Sequence, residues 1–544
     1  MQPLWYRTAV IYEADVALFL DSNGDGWGDL RGMTERLEYV RGLGANALWL
    51  QPFYPSPWLD GGYDLTDHLS IDERFGDLAD FAELLEKADE LGIRVIIELV
   101  AQHTSDQHRW FREARADRDS PYRDYYIWSD EPVETDVEPI FPTEEDSVWE
   151  WDDEAGQYYR HIFYKHEPDL NTANPSVRRE IQRIMAFWLR MGISGFRVDA
   201  APYMVKRARE ADDRDDGQWI LREMRSFLEL RHPYAVLLGE VDVPVEQYAE
   251  YFGDGHGLNM LLDFWLNNHL FLALARGDAE PLRRAIEEQP PPTANSQYAN
   301  WLRNHDELDL ERLTEDERNE VIDVFAPNES MRAYGRGIRR RLAPMLDGDE
   351  RRLAMTHALL FSLPGTPVLL YGDEIGMGDN LEQAERLAVR APMQWTDAPD
   401  AGFSTAPPNL LNAPLIDDGQ YGYEQINVSE QTLRRDSLLA KVTNMVRTRL
   451  GLREIGLGST TVIKLEGDAA SVLALRHDLE DMTSVTFVNL GPDEVAFRIR
   501  DDDLDDLVDL LTDEQYPSNG EHGPGLTLNG YGYRWMRPRQ RLFG

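Results

Sequence analysis

Two hydrophobic periodicities alternate along the chain between residue 8 and about residue 375. Short runs of β-branched and aromatic residues predict strands, and the segments between them, such as 78–91 and 177–190, carry apolar residues at helical spacing. Alternating strands and helices are typical of a parallel α/β fold, and eight such strands predict a (β/α)8 TIM barrel. The predicted barrel strands are residues 9–19, 47–53, 95–103, 195–200, 236–241, 261–266, 300–304 and 367–371.

The pattern changes in two places, and each change predicts a further domain. After the third predicted strand, residues 104–169 are rich in Asp, Glu, Trp and Tyr without a barrel-like period, so we predict an inserted lid domain over the barrel. From residue 456 the pattern turns to short alternating strands, which predicts a C-terminal antiparallel β domain over residues 456–544. The barrel domain then comprises residues 1–103 and 170–455.

The charge balance restricts the partners of the protein. With 99 acidic and 55 basic residues the net charge is −44, which argues against nucleic acid and anionic membranes. Salt screens the self-repulsion of so acidic a surface, and our hypothesis is a halophilic source that accumulates salt. The chain has no cysteine, which excludes disulfides and thiolate metal sites and fits a reducing cytosol.

No segment predicts export or membrane insertion. The N-terminal residues lack the apolar core of a signal peptide. The most apolar long run, residues 354–371, is interrupted by His357, Pro364 and Pro367, and therefore predicts a buried helix end and a strand. We expect a soluble, cytoplasmic protein, and a homo-oligomer is compatible with this sequence.

Polar side chains follow four of the predicted barrel strands. In such barrels the active site lies at the C-terminal strand ends, because the loops there converge on one face. These residues are Gln102 and His103 after the third strand, Arg197 and Asp199 on the fourth, Glu240 after the fifth, and His305 and Asp306 after the seventh. Chemistry on four different strand ends predicts one catalytic centre.

Arg197 and Asp199 stand two residues apart on the fourth strand, so their side chains point to the same face. A cation beside a carboxylate keeps it ionised, as an enzymatic nucleophile requires. A structural ion pair at a strand end is the alternative, and the two interpretations are equal for this pair alone.

A second carboxyl group favours the catalytic interpretation of Asp199 over the structural ion pair. Glu240 follows an apolar strand, and desolvation there raises a carboxyl pKa and favours a general acid. A nucleophilic and an acidic carboxyl group are the minimum for glycoside hydrolysis or transfer. Asp306 is a third acid that could orient sugar hydroxyls. His103 and His305 offer ring nitrogens to hydroxyls, with metal ligation or core packing as the alternatives.

Four segments resemble the signatures of glycoside hydrolase family 13, the α-amylase family. They are residues 98–103 (ELVAQH), 195–200 (GFRVDA), 239–241 (GEV) and 303–306 (RNHD). The resemblance covers nearly the whole chain and implies a retaining mechanism on α-glucosides. It implies that Asp199 is the nucleophile, Glu240 the acid/base and Asp306 the stabiliser of the transition state.

Further segments, among them residues 62–64 (GYD) and 390–395 (RAPMQW), resemble members that take a terminal glucose. Residues 50–57 (LQPFYPSP), 304–308 (NHDEL), 337–344 (GIRRRLAP) and 371–380 (YGDEIGMGDN) resemble those that isomerise maltose to trehalose. The resemblance implies that Asp64 and Arg390 close the far side of the glucose pocket. The alternatives are a hydrolytic α-glucosidase or α-amylase that releases glucose from short α-glucans, and a non-catalytic sugar-binding barrel.

One loop has the composition of a calcium site. Asp21, Asn23, Asp25 and Asp29 place oxygen ligands at alternate positions with glycines between them, although an ordinary polar turn has the same pattern. The family resemblance favours Ca²⁺ at this loop.

The relatives have a second calcium site beneath the lid, where this chain departs from their pattern. Gln102 stands in place of Asn and Lys206 in place of Glu, while Asp169 remains. An ammonium group at a ligand position suggests that Lys206 replaces that ion. We therefore predict one Ca²⁺ and no organic cofactor.

Overall fold

The computed structural model describes residues 4–133, 137–211, 216–499, 504, 507–511, 515–516 and 525–539. The strands up to residue 370 are β1 (Ile11–Ala14), β2 (Ala47–Leu50), β3 (Arg94–Leu99), β4 (Trp128–Ser129), β5 (Trp149–Asp152), β6 (Gln157–Arg160), β7 (Gly195–Val198), β8 (Val236–Gly239), β9 (Met260–Leu262), β10 (Gln297–Trp301), β11 (Leu308–Asp309), β12 (Arg332–Ala333), β13 (Gly337–Ile338) and β14 (Thr366–Leu370).

The remaining strands are β15 (Ser459–Val462), β16 (Leu465–Glu466), β17 (Val472–Leu479), β18 (Met482–Asn489), β19 (Val495–Ile499), β20 (Leu507–Asp509), β21 (Gln515–Tyr516), β22 (Gly525–Leu528) and β23 (Tyr533–Pro538). The helices are α1 (Val16–Phe19), α2 (Leu30–Leu43), α3 (Leu78–Glu90), α4 (Arg109–Ala116), α5 (Pro175–Met191), α6 (Ala201–Ala211), α7 (Trp219–Arg231), α8 (Tyr248–Phe252), α9 (Phe264–Arg276), α10 (Glu280–Glu288), α11 (Glu315–Phe325), α12 (Leu342–Met345), α13 (Glu350–Ser362), α14 (Val428–Leu433), α15 (Leu438–Gly451) and α16 (Arg453–Leu457).

Eight parallel strands close into a barrel in the order β1-β2-β3-β7-β8-β9-β10-β14, and β14 pairs with β1. Strands such as β7 and β8 are buried on both faces, because side chains fill the barrel interior and helices cover its outside. The predicted TIM barrel is confirmed.

Several predicted strands run past the end of the observed strand. The first, predicted over 9–19, ends at Ala14, because Asp15 accepts a hydrogen bond from the Ala17 amide at 2.9 Å and begins a helix. Asp263 ends the sixth in the same way, accepting from the Leu266 amide at 3.1 Å. An N-cap carboxylate directly after an apolar strand is therefore the reason that these strands are shorter than predicted.

Small sheets surround the barrel. Strands β4, β5 and β6 form an antiparallel sheet between β3 and α5, and β11, β12 and β13 form another after β10. After α16 come a six-stranded sheet, in the order β15-β17-β18-β23-β20-β21, and a three-stranded one, in the order β16-β19-β22. The sheet formed by β17, β18 and β23 contacts the barrel helix α13, and Arg537 of β23 donates to Glu454 of α16 at 2.6 Å.

None of the helices in the described ranges combines the length and the apolar character needed to cross a bilayer.

Candidate active site

Arg197 lies at the centre of the site and contacts three carboxyl groups at once. Its Nη1 donates to Glu98 Oε2 at 3.1 Å and to Asp199, and its Nη2 lies 2.9 Å from Glu240 Oε1. The guanidinium is 1% exposed. These contacts follow from the barrel register, in which Arg197 of β7 stands beside Glu98 of β3 and Leu238 of β8.

The chain turns sharply directly after Asp199. Ala200 has φ +48°, a left-handed conformation that costs free energy for a residue with a Cβ atom. This turn directs the Ala200 amide at Glu240, to whose Oε2 it donates at 2.9 Å. Glu240 is therefore held from two sides, by Arg197 and by Ala200, while its side chain stays 23% exposed towards the pocket.

The three carboxyl groups differ in their protonation. Withdrawal from water raises the pKa of Glu240 to about 7 and that of Glu98 to about 8, and Arg197 opposes both shifts. Burial also raises the pKa of Asp199, but Arg197 acts against that rise through its charge and through a direct hydrogen bond. The site therefore offers an acid at Glu240 and a carboxylate stabilised by a cation at Asp199.

This electrostatic arrangement predicts the pH dependence of turnover. Because Glu240 has a pKa of about 7 and must be protonated to act as an acid, kcat/KM for an α-glucoside should fall about tenfold per unit as pH rises above 7. A decrease on the acidic side should mark protonation of Asp199. Initial rates at constant KCl between pH 4 and 10 measure both limbs, and a rate still rising at pH 9 contradicts the assignment of Glu240.

Asp306 lies between two arginines and His305. Its Oδ1 accepts from Arg386 Nη1 and Arg390 Nη2, both at 2.9 Å, and its Oδ2 lies 3.2 Å from His305 Nε2. Burial alone would raise the pKa of Asp306, but Arg386, His305 and Arg390 together hold it well below its usual value. Asp306 is therefore an anion at every working pH.

His305 is fixed by hydrogen bonds and by stacking. Its Nδ1 lies 2.6 Å from Glu13 Oε1 and its Nε2 lies 2.8 Å from the Tyr63 hydroxyl. The two rings stack with centroids 5.5 Å apart, and burial holds the pKa of His305 well below its usual value. Both ring nitrogens of this neutral imidazole are therefore engaged by the protein, by Glu13 and by Tyr63.

Arg386, and not Arg390, forms a bidentate ion pair beside Asp306. Arg386 donates to both carboxylate oxygens of Asp60, at 2.6 and 2.7 Å. Arg390 instead binds Asp306 and the His305 carbonyl, the latter at 2.9 Å. Asp64 is fully buried and accepts from the Ser56 hydroxyl at 2.7 Å and the Leu59 amide at 2.9 Å. Asp64 thus supports the loop that carries Asp60.

His103 is buried between the Tyr63 loop and the inserted segment. Its Nε2 is 3.2 Å from the Tyr63 carbonyl and 3.7 Å from Glu167 Oε1, and its ring contacts Phe163 of the inserted segment. Burial lowers the pKa of His103 to about 4, so the ring is neutral.

A pocket opens on the exposed side of Glu240. It offers about 710 Å³, including its open mouth, and Tyr203 and Phe264 line it together with Asp306. Three carboxylates on this side, Asp242, Asp309 and Glu311, lie close enough to share a cation. Two arginines already bind them: Arg312 contacts Asp242 at 2.8 Å and Arg336 contacts Asp309 at 2.7 Å.

The loop predicted to bind Ca²⁺ forms a ladder of internal hydrogen bonds. Asp21 accepts from the amides of Gly24 and Gly26 at 2.7 and 2.8 Å, and Asp29 accepts from the Gly32 amide at 2.7 Å. Asn23 and Asp25 each accept from the amide two residues further on, both at 2.9 Å. The hard oxygen donors suit Ca²⁺, but within the described ranges the carboxylates of residues 21, 25 and 29 do not gather around one point.

At the second family calcium position, Asp169 has a cation from the protein itself. Arg160 lies 3.4 Å from its carboxylate, and Gln102 also hydrogen-bonds to it. Sequence reasoning pointed to Lys206 in this role and did not identify Arg160.

Sequence reasoning also missed four polar residues of the site, which are Glu13, Glu98, Asp60 and Arg386. Glu13 and Glu98 gave a usable signal, since each is a buried acid within a short apolar strand. Asp60, in a loop, and Arg386, in the short 3₁₀ helix Glu385–Val389, gave none, because only the folded chain brings them together.

Together the barrel and these residues define a class of protein. One guanidinium bridges two carboxyl groups of different protonation, the two kinds of group that a retaining glycosidase requires. The family description "Alpha amylase, catalytic domain" matches residues 15–327 and 339–455. The chain belongs to the α-amylase family.

Relatives that match nearly the whole chain indicate which members of the family it resembles. The chain is 40% identical to a trehalose synthase of Pimelobacter sp. (strain R48), with 98% of this chain and 96% of that protein covered. It is also 40% identical to a trehalose synthase/amylase of Mycobacterium tuberculosis (strain CDC 1551 / Oshkosh), with 98% and 90% covered. Among solved structures, the α-amylase of H.orenii is similar, with a TM-score of 0.79, 26% identity, and 98% and 99% of the two chains covered.

Proposed function

We propose that this protein is a retaining α-glucosyl-transferring enzyme that isomerises maltose to trehalose and hydrolyses a minor fraction. The observation that carries the glucosyl transfer is the Arg197-bridged pair of Asp199 and Glu240 facing Asp306. The choice of maltose and trehalose is supported by the trehalose synthases that are 40% identical over nearly the whole chain. The similar α-amylase is only 26% identical.

The first half of the reaction forms a covalent intermediate. The Asp199 carboxylate attacks the anomeric carbon of the non-reducing glucosyl unit while Glu240 donates its proton to the glycosidic oxygen. The C1–O bond breaks, glucose is released with a free 4-hydroxyl group, and the glucosyl unit stays on Asp199. Asp306, held anionic by its arginines, binds hydroxyls of the sugar as positive charge develops at C1.

The second half returns the same glucose in another orientation. Glu240, now ionised, takes the proton from the anomeric hydroxyl of the released glucose, whose oxygen attacks C1 of the glucosyl-Asp199 ester. The ester bond breaks and an α-1,1 bond forms. Water in place of that glucose gives hydrolysis, so the outcome depends on whether glucose turns inside the pocket before water enters.

The walls of the pocket favour retention of the released glucose. Tyr164 of the inserted segment and Tyr334 of the β12–β13 turn both donate to the Glu385 carboxylate, the latter at 2.7 Å. Phe141 packs against the Arg386 guanidinium, whose carbon lies 4.9 Å from the ring centroid. Three separate segments thus meet over the glucosyl site and restrict exchange with bulk water.

The proposal is tested by incubation with maltose in high KCl, followed by NMR of the anomeric protons. Trehalose as the main product supports the isomerase. Glucose alone indicates the hydrolytic α-glucosidase or α-amylase. Absence of turnover on any α-glucoside, with Asp199→Asn indistinguishable from the wild type, indicates a sugar-binding barrel without catalysis.

We also propose one structural Ca²⁺, held by the loop of Asp21, Asn23, Asp25 and Asp29. The oxygen donors of this loop support the proposal, and binding requires the carboxylates to converge on the ion. No step of the reaction passes through it.

Metal removal tests this proposal. Elemental analysis should find about one Ca²⁺ per chain, and EDTA should lower the midpoint of thermal unfolding by about 2–4 °C, the shift expected when a ligand near 100 times its Kd is withdrawn. Asp25→Asn should abolish the EDTA effect, whereas Asp254→Asn in another glycine-rich turn should preserve it. Two tightly bound ions, or none, contradict the proposal.

A further inference from the structure

Arg390 stands between the glucosyl pocket and a second cavity. Its Nη2 donates to Asp306, which lines the glucosyl pocket, while Arg390 itself lines the second cavity. This cavity offers about 690 Å³, including its open mouth, and residues 15–18, 58–61, 383–390 and 412–413 contribute to its lining. Its size is typical of small-molecule sites, which measure about 300–1,000 Å³. Among the described residues, none lines both cavities.

Two charged residues bring unpartnered atoms to the second cavity. Asp15 Oδ1 accepts from the Ala17 amide, whereas Oδ2 has no hydrogen-bond partner within the described ranges. Arg390 donates from Nε to the His305 carbonyl and from Nη2 to Asp306, and its Nη1 has no partner in the same ranges. Asp15 is 4% and Arg390 6% exposed, yet neither free atom is sealed from solvent, and the cavity is the space that both residues line.

The rest of the lining combines neutral polar groups with apolar ones. Gln383 and Asn412 contribute side-chain amides. Leu59 and Leu387 contribute apolar side chains that are 62% and 38% exposed, and exposed apolar groups beside polar ones are typical of a ligand site. An acceptor, a donor and an apolar wall together match a saccharide ring, whose hydroxyl groups both donate and accept and whose C–H groups form apolar faces.

The charges at this cavity favour a neutral ligand. Burial raises the pKa of Asp15 to about 6 and the charge of Arg390 opposes that rise, so Asp15 is a carboxylate at pH 8 and repels anions. The charge of Arg390 is already balanced by Asp306 at 2.9 Å, which leaves little attraction for the carboxylate of a zwitterion. A hydroxyl group can donate to Asp15 and accept from Arg390 without bringing a charge.

We propose that this cavity is a second binding site, which takes one neutral monosaccharide between Asp15 and Arg390. One hydroxyl group donates to Asp15 Oδ2, a neighbouring oxygen accepts from Arg390 Nη1, and a C–H face of the ring packs against Leu59 and Leu387. The site does not depend on the isomerisation of maltose, because no reacting group of that reaction lines the cavity.

Equilibrium dialysis of the full chain against radiolabelled glucose, at pH 8 in KCl, counts the glucose molecules bound at saturation. Asp15→Ser keeps an oxygen that can cap α1 but withdraws the carboxylate from the cavity, and should bind about one glucose fewer per chain than the wild type. Asp15→Asn keeps the cap and the shape of the side chain without its charge, and should weaken this binding about 10-fold or more. Because the difference from the wild type decides, glucose bound in the glucosyl pocket cancels.

Asp349→Ser is the matched control, because Asp349 caps α13 through the amide two residues further on, as Asp15 caps α1. It should bind as much glucose as the wild type. Equal uptake by the wild type and Asp15→Ser overturns the proposal, and an equal loss in both serine variants does so too. If Asp15→Ser does not fold, the affinity of Asp15→Asn decides. Uptake of glycine betaine that depends on Asp15, without such uptake of glucose, also contradicts a saccharide site.

Discussion

Asp199→Asn should reduce kcat for maltose by a factor of about 10⁴ or more, the scale seen when a nucleophile is removed from an otherwise intact site. The amide cannot form the glucosyl ester, although its oxygen can still accept from Arg197, so the fold should survive. Product formation by NMR measures the loss, and the midpoint of thermal unfolding checks the fold. Asp323→Asn on the exposed face of α11 is the matched control and should keep full activity.

A second variant distinguishes loss of the nucleophile from general damage. Asp199→Gly leaves space on the face from which the carboxylate attacks, and azide bound there should displace a good leaving group from an α-glucoside. The product should be the β-glucosyl azide, since a single displacement inverts the anomeric carbon. An α-configured azide, or residual activity of Asp199→Asn near that of the wild type, contradicts the role of Asp199.

Arg197→Met should lower both stability and activity by large amounts. It leaves Glu98, Asp199 and Glu240 without their shared cation in a buried site, and removing one partner of a buried ion pair costs about 3–5 kcal/mol. The free energy of unfolding should fall by that amount at pH 8 and by less at pH 5. At pH 5 Glu98 and Glu240, with pKa values of about 8 and 7, are already neutral in the wild type, so removing Arg197 leaves only Asp199 without its cation. At pH 8 the two glutamates are ionised to a large extent and lose the cation as well.

Denaturant unfolding at the two pH values measures this difference, and kcat/KM for maltose should fall at least about 10³-fold because Asp199 loses the charge that favours its ionised form. Arg197→Lys restores a charge that cannot reach three carboxyl groups at once, and should be intermediate in both measurements. Arg190→Met at the exposed end of α5 is the control and should cost less than about 1 kcal/mol. An equal loss for Arg190→Met and Arg197→Met would mean that the three carboxyl groups do not depend on Arg197.

The barrel could be predicted from the sequence because its strands are short apolar runs between helices of regular period. Asp199, Glu240, His305 and Asp306 could be placed near one another because they follow such runs. The end of β1 could not be predicted from the sequence, because an apolar segment continues through Asp15 into α1. Only the hydrogen bond of the Asp15 cap separates strand from helix.

The walls of the site were beyond sequence reasoning for a different reason. Asp60 and Arg386 are 326 residues apart, one in a loop and the other in a short 3₁₀ helix, so nothing local indicates that they pair. Nothing local indicates either that Tyr164 and Tyr334, from two other segments, both bind Glu385. Glu13 and Glu98 are the exceptions, because an acid within a short apolar strand is visible in the sequence as an anomaly that calls for a buried partner.

The Asp60–Arg386 pair has a consequence for how the protein responds to its medium. Dissolved ions weaken interactions between exposed charges over about 10 Å or less, but they reach a buried, bidentate pair poorly. Arg386 is 9% and Arg197 1% exposed, whereas the excess of acidic groups that gives the net charge of −44 is spread over the chain. Changes in ionic strength should therefore alter the stability of the protein, through its exposed charges, and leave its selection of substrates by size almost constant. Stability and selectivity can then evolve independently in one molecule.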